Sequence, residues 1–204
     1  MPIIDLTLYL AFIAAAAMLM LIPGPNVALI TSASMAHGTR AGLLTVLGTS
    51  CAMIPQLALT ALGMTALLGL MAQLFDILRW LGVGYLLYLG LRCWRAAPDR
   101  LSLETPHPKR LLLRGFLVSF ANPKTLLFYG AFLPQFIALD RPLGPQFALL
   151  SATFLLLALG IDSSWALLAG RSRQLLLRRG RLRQRMTGGL LITAAIGLAL
   201  ARHR

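Results

Sequence analysis

Acidic residues are scarce in this chain: six aspartates and glutamates among 204 residues, against nineteen lysines and arginines. Charged residues of both signs fill only 12% of positions, about half of what a soluble domain carries. So few charges cannot cover a surface that faces water. The formal net charge of +13 invites a nucleic-acid partner. The basic residues, however, lie in short loops between apolar runs, where their ordinary role is to set orientation in a membrane. No nucleic-acid partner is therefore expected. Cysteine is limited to Cys51 and Cys93, each in or beside an apolar run, where the thiol behaves as a small hydrophobe. Two such residues make neither a disulfide framework nor a metal site. His37, His107 and His203 are isolated, without metal-ligand spacing, and no cofactor is expected. Ahead of the first apolar run stands Asp5, with no lysine or arginine. A cleaved signal peptide needs a basic start, so none is expected.

What the chain does have is apolar length. It is 58% hydrophobic with a mean hydropathy of +0.77, which reads as an all-α integral membrane protein with almost no extramembrane domain. Six spans can be drawn: Leu6 to Met35, Ala41 to Leu62, a less sharply bounded one between Leu67 and Leu91, Gly115 to Ile137, Gln146 to Ala169, and a short one from Met186 to Ala201. Gly82, Gly84 and Gly90 in the third suit close helix contact. Arg92 to Arg114 contains Pro98, Pro106 and Pro108 and reads as a loop. Asp140-Arg141-Pro142 reads as a tight turn, and Arg171 to Arg185 as an arginine-rich connector.

Orientation follows from the basic residues. The loops after spans one, three and five hold fourteen of them and the opposite side four, Arg79, Arg141, Arg202 and Arg204. The richer side is expected in the cytoplasm, with both termini outside. Three spans per half then make the halves inverted relative to one another. Residues 1–97 form the first three-helix repeat, 98–113 a cytoplasmic linker and 114–204 the second repeat. The feature that supports the repeat is a matched break in the first helix of each half.

The first break is Pro23-Gly24-Pro25-Asn26. Its two prolines remove two backbone N–H groups and leave the carbonyls of Leu19 and Leu21 without helical partners. The second is Asn122-Pro123-Lys124. In hydrocarbon an orphaned backbone group survives only where protein or a wet cavity surrounds it. Paired interruptions of this kind are the best sequence pointer to a transporter's binding site. A lone proline such as Pro55 or Pro134 is adequately explained as a kink.

Helical rise gives depth. Asn26, Asn122, Lys124, Asp162, Thr49 and Ser50 stand seven to nine residues from the inner ends of their spans, about 10–14 Å above the inner boundary at 1.5 Å per residue. They share one layer near the midplane. A charge there costs roughly 2.5–3.5 kcal/mol on insertion scales. A static Lys124–Asp162 pair, or a Lys124 that snorkels to the inner face, is the structural account. The functional account makes Lys124 the partner of a substrate carboxylate and Asp162 the partner of a cation or the carrier of a proton. Pro23, Gly24, Pro25, Asn26, Thr49, Ser50, Asn122, Pro123 and Lys124 form the candidate substrate site, and freed helix ends there suit a zwitterion.

These residues resemble a known family. The Pro23-Gly24-Pro25-Asn26 stretch, Gly38-Thr39-Arg40-Ala41-Gly42, Asn122-Pro123-Lys124 and the third-span run Tyr85-Leu86-Leu87-Tyr88-Leu89-Gly90 are similar to the marks of the LysE/RhtB amino-acid exporters. The resemblance covers nearly the whole chain in span number and motif order. It implies export of amino acids or related small metabolites across a bacterial inner membrane, driven by proton antiport through an acid such as Asp162. It also implies a two-half, six-helix bundle, open to homo-oligomer formation. Arg171 to Arg185 is expected to meet anionic lipid headgroups. Two alternatives remain. A metal-cation transporter of similar fold would have only Asp162, with Cys51 near Thr49 and Ser50, at the required depth. An intramembrane enzyme would have Asp162-Ser163-Ser164 without a membrane-embedded histidine as base.

Overall fold

The computed structural model describes residues 4–62, 80, 83–84, 87–88, 91, 94, 106–138, 140–176, 185–186, 188–193 and 195–196. Every regular element among them is helical. Most of the third span, part of the sixth, the repeat boundary near residue 97 and residues 177–184 of the connector lie outside the described residues.

Helix α1, Leu6–Leu21, is alanine- and leucine-rich and is capped by Asp5, whose carboxylate accepts the N–H groups of Thr7 and Leu8. Pro23 cannot donate to the preceding turn, so α1 stops. Helix α2, Pro25–His37, restarts with Pro25 in its first turn, where the missing N–H costs nothing. The two legs meet at 52°. Gly38, with φ of 90°, turns the chain into α3, Thr39–Leu62. That backbone region favours glycine.

Helix α4, Pro108–Phe120, begins inside the stretch expected as a loop to Arg114, because His107 caps it and Pro108 and the following leucines suit a helix start. It ends at Ala121-Asn122. Helix α5, Pro123–Leu127, continues as a π turn, Phe128–Phe132, and a 3₁₀ turn, Leu133–Phe136. The second bend is 54°. Helix α6, Leu143–Leu176, runs past the expected end of its span into the arginine-rich segment.

By length and composition α3 and α6 can each cross a membrane, as can each bent pair taken as one span. Their outward faces are apolar: Leu6, Met18 and Leu156 are each about two-thirds exposed. That is the reverse of a water-soluble surface and suits lipid.

Small residues set the packing. A Cβ on Gly48 of α3 would collide with the backbone of Leu112, and one on Gly115 of α4 with the backbone of Thr45 and Thr49. Helices α3 and α4 therefore touch main chain to main chain. At Gly42 the side chain of Ser34 fills the space a Cβ would take, and at Gly170 that of Thr39, so α2, α3 and α6 also approach closely. These glycines make close contacts among the described residues. Gly84 has nothing within 4 Å, and Gly82 and Gly90 lie outside the described residues. Toward the Asp5 end, an aromatic core of Phe12, Phe128, Tyr129, Phe136 and Phe154 joins α1, the π and 3₁₀ turns and α6.

Candidate functional site

The two interruptions meet. Asn26 follows the first, and its side-chain oxygen accepts from Asn122 Nδ2 at 2.9 Å. Its own Nδ2 donates to Ser119 Oγ at 3.1 Å. Across the gap, Lys124 Nζ donates to the carbonyl of Ile22 at 2.6 Å. As one chain advances from 22 to 26, its partner retreats from 124 through 122 to 119. The two broken spans thus cross in opposite directions.

Each break exposes backbone groups, and each is repaired differently. At the second, Pro123 has no N–H for Ser119 O. The N–H of Lys124, which in a continuous helix would go to Phe120 O, goes instead to Asn122 Oδ1 at 3.1 Å. The Phe120 carbonyl is left without a backbone donor among the described residues, and the Ser119 carbonyl keeps only the Asn122 N–H at 3.0 Å. Gln56 of α3 reaches both, its Nε2 donating to Ser119 O at 3.1 Å and to Phe120 O at 3.0 Å. Asn122 caps α5, and its own carbonyl accepts from Thr125 Oγ1 and Leu126 N. At the first break the N-cap of α2 is Gly24, which has no side chain to offer. The carbonyl seen to be held from across the gap is that of Ile22, not those of Leu19 or Leu21 as the proline spacing suggests. Lys124 passes close over Gly24: a Cβ there would lie 3.5 Å from its Cδ.

Between the breaks lies a cavity of about 20 Å³, lined among others by Gly24, Asn26, Asn122, Lys124, Thr125 and Asp162. That is room for about one water. A molecule the size of an amino acid would need more room than this. Asp162, 4% exposed on α6, borders this space and accepts no hydrogen bond from the described residues. Lys124 and Asp162 share the cavity without forming an ion pair.

The site residues named from sequence divide into two groups. Gly24, Asn26, Asn122, Lys124 and Asp162 come together at the cavity. Pro25 is buried at the start of α2, Pro23 is exposed, and Pro123 opens α5. Thr49 and Ser50 are buried on α3 away from the cavity lining, and the Thr49 hydroxyl is spent on its own helix at Val46 O. Sequence reasoning missed Gln56, Ser119 and Thr125. The signal for Gln56 was present, since an amide deep in an apolar span must find a partner. It stood beside Pro55, which drew attention to a kink instead.

A family profile described as LysE type translocator matches residues 17–202. The chain is similar to a homoserine/homoserine lactone efflux protein of Salmonella typhimurium, 28% identical over 96% of this chain and 97% of that one. It is 33% identical to a leucine efflux protein of Salmonella typhi over 71% of each chain. It is also 31% identical to an uncharacterized membrane protein of Vibrio cholerae, over 73% of this chain and 74% of that one. No solved structure matches.

Proposed function

The chain belongs to the LysE type translocator family, and from that membership we propose that it exports amino acids or closely related small metabolites through the cavity between its two helix breaks. A translocator family is a transport family, so the intramembrane-enzyme alternative falls. The cargo is organic rather than a metal cation, in keeping with relatives named for homoserine, its lactone and leucine. Those three compounds share an α-amino group, whereas the lactone has no free carboxylate. The ammonium is therefore the group that the site must hold in every case, and Asp162 is its partner, or the carrier of the exchanged proton. A substrate carboxylate, where present, takes the free N–H positions of the Lys124 ammonium, which has three donors. It also faces the N-terminus of α2, whose dipole favours an anion.

The observation that carries this reading is the direct joining of the breaks: Asn122 to Asn26 and Lys124 to Ile22 O, beside a buried acid with no hydrogen-bond donor among the described residues. Discontinuous helices at the midplane are the usual setting of transporter sites. The antiparallel crossing of the two broken spans supports six spans arranged as two inverted three-helix repeats, 1–97 and 114–204, joined through 98–113. The excess of basic residues after spans one, three and five supports insertion in the bacterial inner membrane with both termini outside. Arg171 to Arg185 is then placed at anionic headgroups, and homo-oligomers are compatible with this arrangement.

The test is efflux of labelled leucine and homoserine from loaded vesicles, with and without a pH gradient. Efflux should be faster with an inward proton gradient, and Asp162→Asn should abolish that acceleration. Export by Asp162→Asn that still responds to the gradient removes the proton role from this residue.

A further inference from the structure

We propose that Gln56 is a positioning residue of the export site, holding the second helix break so that Asn122 and Lys124 face the cavity; this rests on the export reading above. A helix interrupted by Asn-Pro-Lys leaves the carbonyls of Ser119 and Phe120 without their i+4 donors, one because Pro123 has no N–H, the other because the Lys124 N–H is taken by Asn122 Oδ1. Ser119 O recovers one donor locally, the Asn122 N–H at 3.0 Å, whereas Phe120 O has no backbone donor among the described residues; in a membrane interior such a group must find a partner within the protein. The two N–H bonds of one carboxamide can satisfy both, and Gln56 Nε2 does so at 3.1 and 3.0 Å.

The direction of the amide follows from its neighbours. Turned over, it would set Oε1 against two carbonyl oxygens, so the nitrogen faces the break. The consequence is that Gln56 Oε1, on a side chain only 1% exposed, is left without a donor. A buried acceptor left open is unfavourable; what the side chain does at its other end offsets that cost.

The anchor on which Gln56 stands is rigid. About two to three turns before it, Gly48 of α3 lies against Leu112, and Gly115 of α4 against Thr45 and Thr49, with no room for a side chain between the backbones. Gln56 is therefore carried at a set height beside the end of α4. Through Ser119 the same hold passes on to Asn26, whose Nδ2 rests on the Ser119 hydroxyl while Gln56 rests on the Ser119 carbonyl. One side chain from the second span thus fixes both partners of the cavity-facing amide pair without lining the cavity itself.

Two measurements test this. In full-length protein carrying Cys51→Ser, Cys93→Ser and Lys124→Cys in vesicles, adding Gln56→Met should change the rate at which a small cationic methanethiosulfonate labels position 124 by at least fivefold. A rate within twofold overturns the proposal, whether or not the protein exports amino acids. In chains altered only at position 56, Gln56→Met should raise the KM for leucine efflux at least tenfold, with the maximal rate within about threefold. Gln56→Glu, which has an O–H to donate only when protonated, should recover relative to Gln56→Met as the pH is lowered on both sides of the membrane. A lower maximal rate at unchanged KM, on equal amounts of monodisperse protein, overturns the positioning role. Should Gln56→Met not fold, Gln56→Glu replaces it in both arms. A wild-type chain that moves no amino acid removes the export reading, while the labelling arm still decides on Gln56.

Discussion

The two helix breaks are both made by proline and are closed in different ways. The second is sealed by neutral amides. Asn122 caps the new helix from within, and Gln56 takes the abandoned carbonyls from a neighbouring span. Each of those bonds is short-range and would survive any change of charge nearby. The first break has a glycine for its cap; Asn26 at its far side is held by Asn122 and Ser119, but the carbonyl at its near side, Ile22 O, is met by one flexible, charged side chain, Lys124. A network of packed amides resists movement, whereas one ammonium on a four-carbon stem can let go. By that contrast the α1–α2 joint is expected to be the easier of the two to move, and the cavity of about 20 Å³ between them is smaller than an amino acid.

This contrast makes crossed predictions. The largest effect is expected for Lys124→Met: efflux of labelled leucine should fall on the order of a hundredfold, a loss of about 3 kcal/mol at 1.36 kcal/mol per decade. The unfolding temperature should shift little, because the variant both frees a carbonyl and removes a buried charge. A variant that still exports at more than a tenth of the normal rate would show that the first joint does not depend on its lysine.

Asn122→Ala should do the reverse. Loss of the cap costs about 1 kcal/mol, and its bond to Asn26 goes as well. Thermal unfolding in detergent should move down by several degrees, while efflux falls roughly tenfold. Equal unfolding temperatures for Asn122→Ala and Lys124→Met would erase the distinction between a sealed joint and a tethered one.

The smallest effect is expected at the far end of the first span. The N–H groups of Leu8 and Thr7 hold the Asp5 carboxyl below the usual carboxylate range. A group with a depressed folded pKa contributes stability above its unfolded value, and that contribution is lost as the pH falls through the folded one. Asp5→Ala should therefore lower the unfolding temperature slightly at neutral pH and leave it unchanged in acid. A deficit that persists in acid would assign the cap another role.

Much of this arrangement is legible in the chain before folding. Scarce charge and long apolar runs place it in a membrane. Proline chemistry locates both interruptions to the residue, because a missing N–H is a covalent fact. Counting helical rise puts Asn26, Asn122, Lys124 and Asp162 in one layer, and the fold brings those four to one cavity. The same count puts Thr49 and Ser50 at that height, yet they do not line it. Rise along an axis gives depth, but says nothing about which way around the helix a side chain points. That angle depends on how helices cross, and here the crossing is decided by Gly48 and Gly115, two residues without side chains.

Where the helices break is thus a local matter, settled by where proline removes a donor and ends the regular bonding. Who answers them is not local: Gln56 is separated from Ser119, and Lys124 from Ile22, by a long stretch of chain. Only the packed bundle brings those atoms within 3.1 Å of one another, because in hydrocarbon a polar group without water must be met by whatever the neighbouring helix presents.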